Sequence, residues 1–156
     1  MNSPSGGAPT ARSDLGDDRR KHLEFIQQVI GRMSSTSATA KSWSLTVAIA
    51  VLGYALTKNA PSVAMLGILS VLLFSFMDAR YLREERKFRT LYEDARMGGI
   101  DAYDMRTGPY IDKSGPKYDA HCAWNCVYRS WSLLGFYGPL LLVATIALVR
   151  ALLLGP

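Results

Sequence analysis

With 156 residues the chain has room for one domain at most, and its two cysteines exclude a disulfide scaffold. Hydrophobic residues at 49% exclude disorder of the whole chain. The charged residues are nearly missing from three stretches, which leaves too little polar chain for a sizeable soluble enzyme core. The net charge of +5 accompanies no nucleic-acid motif, so no nucleic-acid duplex is expected as a partner. Instead the basic residues crowd the flanks of the apolar stretches, as topology signals and contact with anionic lipid require.

Residues 1–16, rich in Ser, Gly, Pro and Ala, read as a disordered tail without a signal-peptide core. Over 17–37 the pattern changes. Leu23, Ile26, Val29, Ile30 and Met33 recur at helical spacing among charged residues, predicting an amphipathic cytoplasmic helix with Asp17 as N-cap. This is the candidate assembly helix.

A first span is expected over 38–57. Its apolar run Trp43–Leu56 makes about 21 Å of helix, short of the ~30 Å hydrocarbon core, so Lys41 is read as snorkelling to the head groups. The stretch Thr57 to Ser62 is a tight turn by composition. A second helix is expected over 61–96, with an apolar first half and a second half that projects from the bilayer. Pairs at i,i+4 (Arg80 with Glu84, Glu85 with Arg89, Arg89 with Glu93) support that second half. Its stripe of Tyr81, Phe88, Leu91, Tyr92 and Ala95 is complementary to the amphipathic helix.

Residues 97–130 read as an irregular cytoplasmic segment, and 131–153 as a third span with Pro139 kinking it. The fold class is thus an all-α membrane protein: three transmembrane helices, a hairpin plus a third span, and a cytoplasmic helical bundle. A two-span arrangement, with the last run packed in a soluble bundle, is the alternative. Sixteen of the eighteen Lys and Arg fall on one side of the three-span arrangement. The positive-inside rule then places the N-terminus and residues 78–130 in the cytoplasm and the C-terminus outside.

The chemistry-bearing residues are sparse. His121, Cys122 and Cys126 give three ligands at an unusual spacing, too few for a zinc site. Glu84 and Glu85 sit among arginines as a solvated charged face. With no nucleophile elbow or phosphate loop, no enzyme activity, catalytic residue, metal or cofactor is expected. Gly67, Ser70, Phe74, Met77 and Asp78 form the candidate pore or subunit contact. There Asp78 is either an interfacial residue paired with Arg80 or another chain, or part of a charged ring. Tyr103, Arg106, Tyr110, Lys113 and Lys117 combine rings with cations and form the candidate ligand loop.

Several strings carry a resemblance: His22-Leu23-Glu24-Phe25-Ile26-Gln27, Lys41-Ser42-Trp43-Ser44, Asp78-Ala79-Arg80-Tyr81-Leu82-Arg83, Phe88-Arg89-Thr90-Leu91-Tyr92 and Gly135-Phe136-Tyr137-Gly138. Over residues 20–150 the chain resembles a widespread group of small bacterial membrane proteins, a resemblance that implies no catalytic role. The amphipathic helix, short hairpin and Leu-Tyr motif also look like the SLATT membrane effectors of nucleotide-signalled bacterial defence, which have two spans rather than three. That resemblance implies a homo-oligomer in the bacterial inner membrane that perturbs the bilayer when a nucleotide second messenger activates it. The alternative is a non-conducting anchor or adaptor that recruits a soluble partner through its cytoplasmic helices.

Overall fold

The computed structural model describes residues 9–154 apart from Ala102, with side chains from Gly16 to Leu153. Its regular elements are all helical: α1 (Pro9–Lys58), α2 (Pro61–Met97), α3 (Trp124–Tyr128) and α4 (Trp131–Leu154), plus two 3-10 turns at Gly108–Tyr110 and Ala120–Cys122. Three of these helices, α1, α2 and α4, are long and apolar enough to cross a membrane.

The first helix departs from expectation at its start. It begins at Pro9, so Asp17 lies inside it and is no N-cap, and of the expected tail only residues 1–8 lie outside the described residues. It runs on unbroken through Ser34 to Ala40 into the first apolar run, as the helix-compatible composition of that stretch allows. In that Ser/Thr stretch the hydroxyls turn back on their own helix. Thr36 donates to the Arg32 carbonyl at 2.9 Å and Thr39 to the Ser35 carbonyl at 3.0 Å. Hydroxyls bonded at i−4 tend to bend a helix rather than end it. Fifty residues make a rod about 75 Å long.

The hairpin turn is two residues long. Asn59 takes a left-handed conformation (φ 48°), which asparagine tolerates, and Pro61 opens α2 where its missing N–H costs nothing. The two helices then run back to back. Gly67 makes this approach possible, because a Cβ there would meet the Leu52 Cδ2 at 2.8 Å. Further small residues, Ala48 and Ala79 with Ala144 and Ala147 of α4, line the same core with Leu52, Val71, Val127, Leu133 and Tyr137. Small side chains let helices close without a large apolar driving force. The last helix packs chiefly on α2 and runs through Pro139 without a break.

A second, separate core lies at the other end of α1 and α2, where Ile26, Leu91, Ala95 and Tyr110 are buried with Leu23, Ile30, Phe88 and Tyr92 around them. Of the candidate assembly residues, Ile26 is fully buried with Leu23 and Ile30 packed beside it, all within the chain, whereas Val29 and Met33 stay half-buried at the edge. We call this end the head.

Arg19 fastens the head. Its guanidinium donates to the Ala95 carbonyl at 2.9 Å and the Arg96 carbonyl at 2.6 Å, closing the carbonyl end of α2 from α1. Gly98 makes room for it with a left-handed φ of 80°, and a Cβ there would sit 3.2 Å from the guanidinium. Charged hydrogen bonds of this kind contribute about 1.5–3 kcal/mol each. Arg19→Ala is therefore expected to fray the last turn of α2, read as accelerated amide exchange at Arg96 to Gly99 with the rest of α2 unchanged.

Candidate functional site

Between the two cores lies a polar cluster contributed by three helices. On α1, Ser37, Lys41 and Ser44 recur at i, i+4 and i+7 and share one face with Ala40 and Ala48. On α2, Asp78 lies where the apolar run gives way to the charged second half. On α4, Ser132 and Tyr137 face the same point.

The Asp78 carboxylate is 1% exposed, and the Lys41 ammonium lies 3.1 Å from its Oδ2. Ser37 donates its hydroxyl to Oδ1. Lys41 also donates to Ser37 at 3.3 Å and to Ser132 on α4 at 3.0 Å, so one ammonium touches all three long helices. A carboxylate removed from water is tolerated only when it is compensated, and here Oδ1 takes the hydrogen bond while Oδ2, buried without one, has the ammonium. Deeper by about a turn, the hydroxyls of Ser44 and Tyr137 are buried without a hydrogen-bond partner among the described residues, and Tyr137 faces Ser44 and Asp78.

This arrangement corrects three expectations. Asp78 pairs not with Arg80 but with Lys41 of its own chain, and its carboxylate is buried between the helices. Lys41 does not reach out to head groups but turns inward. The ion pairs of α2 also differ: Glu85 binds Arg89 at 2.6 Å as expected, but Glu84 takes Lys87 at 2.6 Å and Glu93 takes Arg96 at 2.9 Å, and Arg80 has no carboxylate partner among the described residues. Within the candidate pore face, Gly67 packs against Leu52 of its own chain, Ser70 donates to the Leu66 carbonyl at 2.8 Å, Phe74 packs on the core and Met77 is exposed. These five residues therefore do not share one outward surface.

The candidate ligand loop is more ordered, and its cations less free, than its composition suggests. Tyr110 is buried and donates to Asp94 at 2.9 Å. Burial, with the Asp94 carboxylate second, pushes its phenol well above the ordinary tyrosine range. Lys117 pairs with the same Asp94 at 3.0 Å and donates to the Gly99 carbonyl at 3.0 Å. Arg106 chelates Asp104, with Nη2 at 2.8 Å from Oδ2. These residues line a cleft of about 670 Å³, but Asp101 and Asp104 line it too. Tyr103 belongs to a different cleft of about 330 Å³, with His22, Phe25, Gln28, Val29, Arg32 and Met105, and donates to Asp18 at 3.1 Å. Lys113 lines a third, apart from both. The five loop residues thus divide among three clefts and do not converge.

The Arg106 guanidinium and backbone N–H hold the Asp104 carboxyl down at about 2. A carboxylate lowered from its usual ~3.9 adds stability above that value and loses it as pH falls towards the lowered one. The loop clasp is therefore expected to open between about pH 4 and pH 2, followed as a shift of the Arg106 amide resonance, whose proton bonds Asp104 at 3.0 Å.

His121 and Cys126 approach to 3.8 Å, while Cys122 is buried, and burial pushes its thiol pKa up. Among the described residues no three His, Cys, Asp or Glu side chains are placed to hold a metal ion.

No protein-family model, curated protein or solved structure matches the chain.

The inward residues Ser37, Lys41, Ser44, Ser132 and Tyr137 are missing from the sequence-based candidates. Their signal is the i, i+4, i+7 polar spacing on α1, set within a stripe of small residues and answered by one carboxylate at the end of the next apolar run.

Proposed function

We propose that the chain is a three-span protein of the bacterial inner membrane, with the N-terminus and head in the cytoplasm and the C-terminus outside, and that it acts as a non-enzymatic anchor presenting the head to a soluble partner. One observation carries this reading. In the apolar halves of the helices, the charged pair faces inward, while the outward surface is made of residues such as Ile49, Leu69, Leu72, Leu142 and Ile146. Even the outward hydroxyls of Thr46, Ser70 and Thr145 are folded onto their own carbonyls at 2.8 to 3.1 Å. Such a surface suits acyl chains and offers no polar stripe to line a conducting path. The bias of Lys and Arg towards the head supports the orientation.

A second reading, an oligomeric effector that opens the membrane on a nucleotide signal, is favoured by the cleft that Phe25, Tyr103 and Arg32 line together. A cleft that carries both rings and a guanidinium suits a stacked base and its phosphate. Proteoliposomes loaded with a voltage-sensitive dye discriminate the two. The anchor predicts no ion flux with or without cyclic or linear oligonucleotides, together with capture of a defined soluble protein by the full chain. Nucleotide-dependent flux overturns the anchor in favour of the effector.

A further inference from the structure

Past Asp78, α2 carries Arg80, Arg83 and Arg86 three residues apart. None has a carboxylate partner among the described residues, whereas the adjacent Lys87 and Arg89 are neutralised by Glu84 and Glu85. Arg86 and Arg83 hold the incoming loop instead: Arg86 donates to the His121 carbonyl at 2.9 Å, and Arg83 Nε to the Cys122 carbonyl at 3.0 Å. The terminal nitrogens of Arg83 have no partner among the described residues. Its guanidinium lies 4.5 Å over the Trp124 ring, and Trp124 stacks on Phe76 at 6.4 Å and on Tyr128 at 5.7 Å.

Against this ladder of rings is a pocket of about 180 Å³ whose polar lining is Arg83, Lys113, Tyr118 and Asn125, with no carboxylate. Lys113 is exposed and makes no ion pair or hydrogen bond among the described residues. A guanidinium and an ammonium without a counter-charge, joined by a phenol and an amide, are a set of donors for an anion. Position decides which kind. Phe76 is exposed and belongs to the apolar half of α2, beside exposed Leu72 and Leu73. The cationic pocket therefore opens within one aromatic ring of the apolar belt, so its ligand is charged at one end and apolar at the other.

The geometry points to a headgroup site for an anionic phospholipid: the phosphate against Arg83 and Lys113, the glycerol edge on Trp124, and an acyl chain along Phe76, Leu73 and Leu72. The site rests on the membrane-spanning reading above, and it is distinct from the Lys41–Asp78 pair.

Native mass spectrometry of the full chain, released from phosphatidylcholine nanodiscs doped with phosphatidylglycerol, tests it. The expected result is preferential retention of phosphatidylglycerol, weakened about fivefold by Lys113→Gln and restored by Lys113→Arg, since one basic group near an anionic surface is worth that much. Lys113 is on the surface, so its replacement leaves the fold standing; Arg83→Gln gives the larger loss. Equal retention of both lipids, or retention indifferent to Lys113→Gln, overturns the site while leaving the membrane reading intact. Displacement of the lipid by inorganic phosphate alone also overturns it, in favour of a soluble phosphate ligand. Failure of the chain to enter nanodiscs removes the membrane reading and the site together.

Discussion

Replacing Lys41 by Met is expected to destabilise the protein by about 3–5 kcal/mol, because the Asp78 carboxylate is left charged, buried and without its cation. The loss is measured as a shift in the unfolding midpoint on titrating mild detergent with a denaturing one. Asp78→Leu is expected to cost less, since the ammonium it strands is 24% exposed and can turn outward. The double replacement, which removes both charges and fills the space, is expected to recover most of the loss. Equal and additive losses would instead assign the effect to packing alone. Because Lys41 also reaches Ser132, its replacement should loosen α4 against the hairpin, and cross-linking between positions 42 and 132 is expected to fall.

Leu91→Ala is expected to cost about 2–5 kcal/mol, the range for emptying a fully buried leucine site. The effect should be confined to the head. Leu91 packs with Ile26, Ala95 and Tyr110, a cluster that shares no buried residue with the core around Leu52 and Val71. Limited proteolysis is expected to cut the variant within residues 98–123 at doses that leave the parent protein whole. Circular dichroism should show that the helices persist. Coincident loss of both regions would mean that the two cores unfold as one unit, contrary to their separation here.

Much of the architecture is legible in the sequence because three apolar runs are contiguous and breakers stand between them. The Lys58–Pro61 turn and the Gly98 stop are written in residues whose backbone preferences are local. The continuity of α1 through Ser34 to Ala40 is legible only weakly, because hydroxyl residues are compatible with a helix but also offer the backbone other partners. The polar cluster is harder still. Whether Lys41 snorkels outward or turns inward depends on a carboxylate 37 positions away, and only the register of α1 on α2 brings the two together. The loop misleads in the opposite sense: Tyr110 and Lys117 have the composition of a ligand site, but both are already engaged by Asp94. Composition shows which groups a segment carries, and packing determines which are left free.

The Arg19 clasp has a consequence for how the molecule is built. Its acceptors at Ala95 and Arg96 are made 76 and 77 residues after it. During synthesis the leading half of α1 therefore emerges as a long arm with no carbonyls to bind and no Leu91 to cover Ile26. The hairpin has to turn at Asn59 and return the full length of α2 before the arm finds its seat. Such a distant contact forms late. A nascent chain stopped before residue 88 would hold the hairpin turn and an unseated arm, and the closing of that arm marks the point at which the head exists at all.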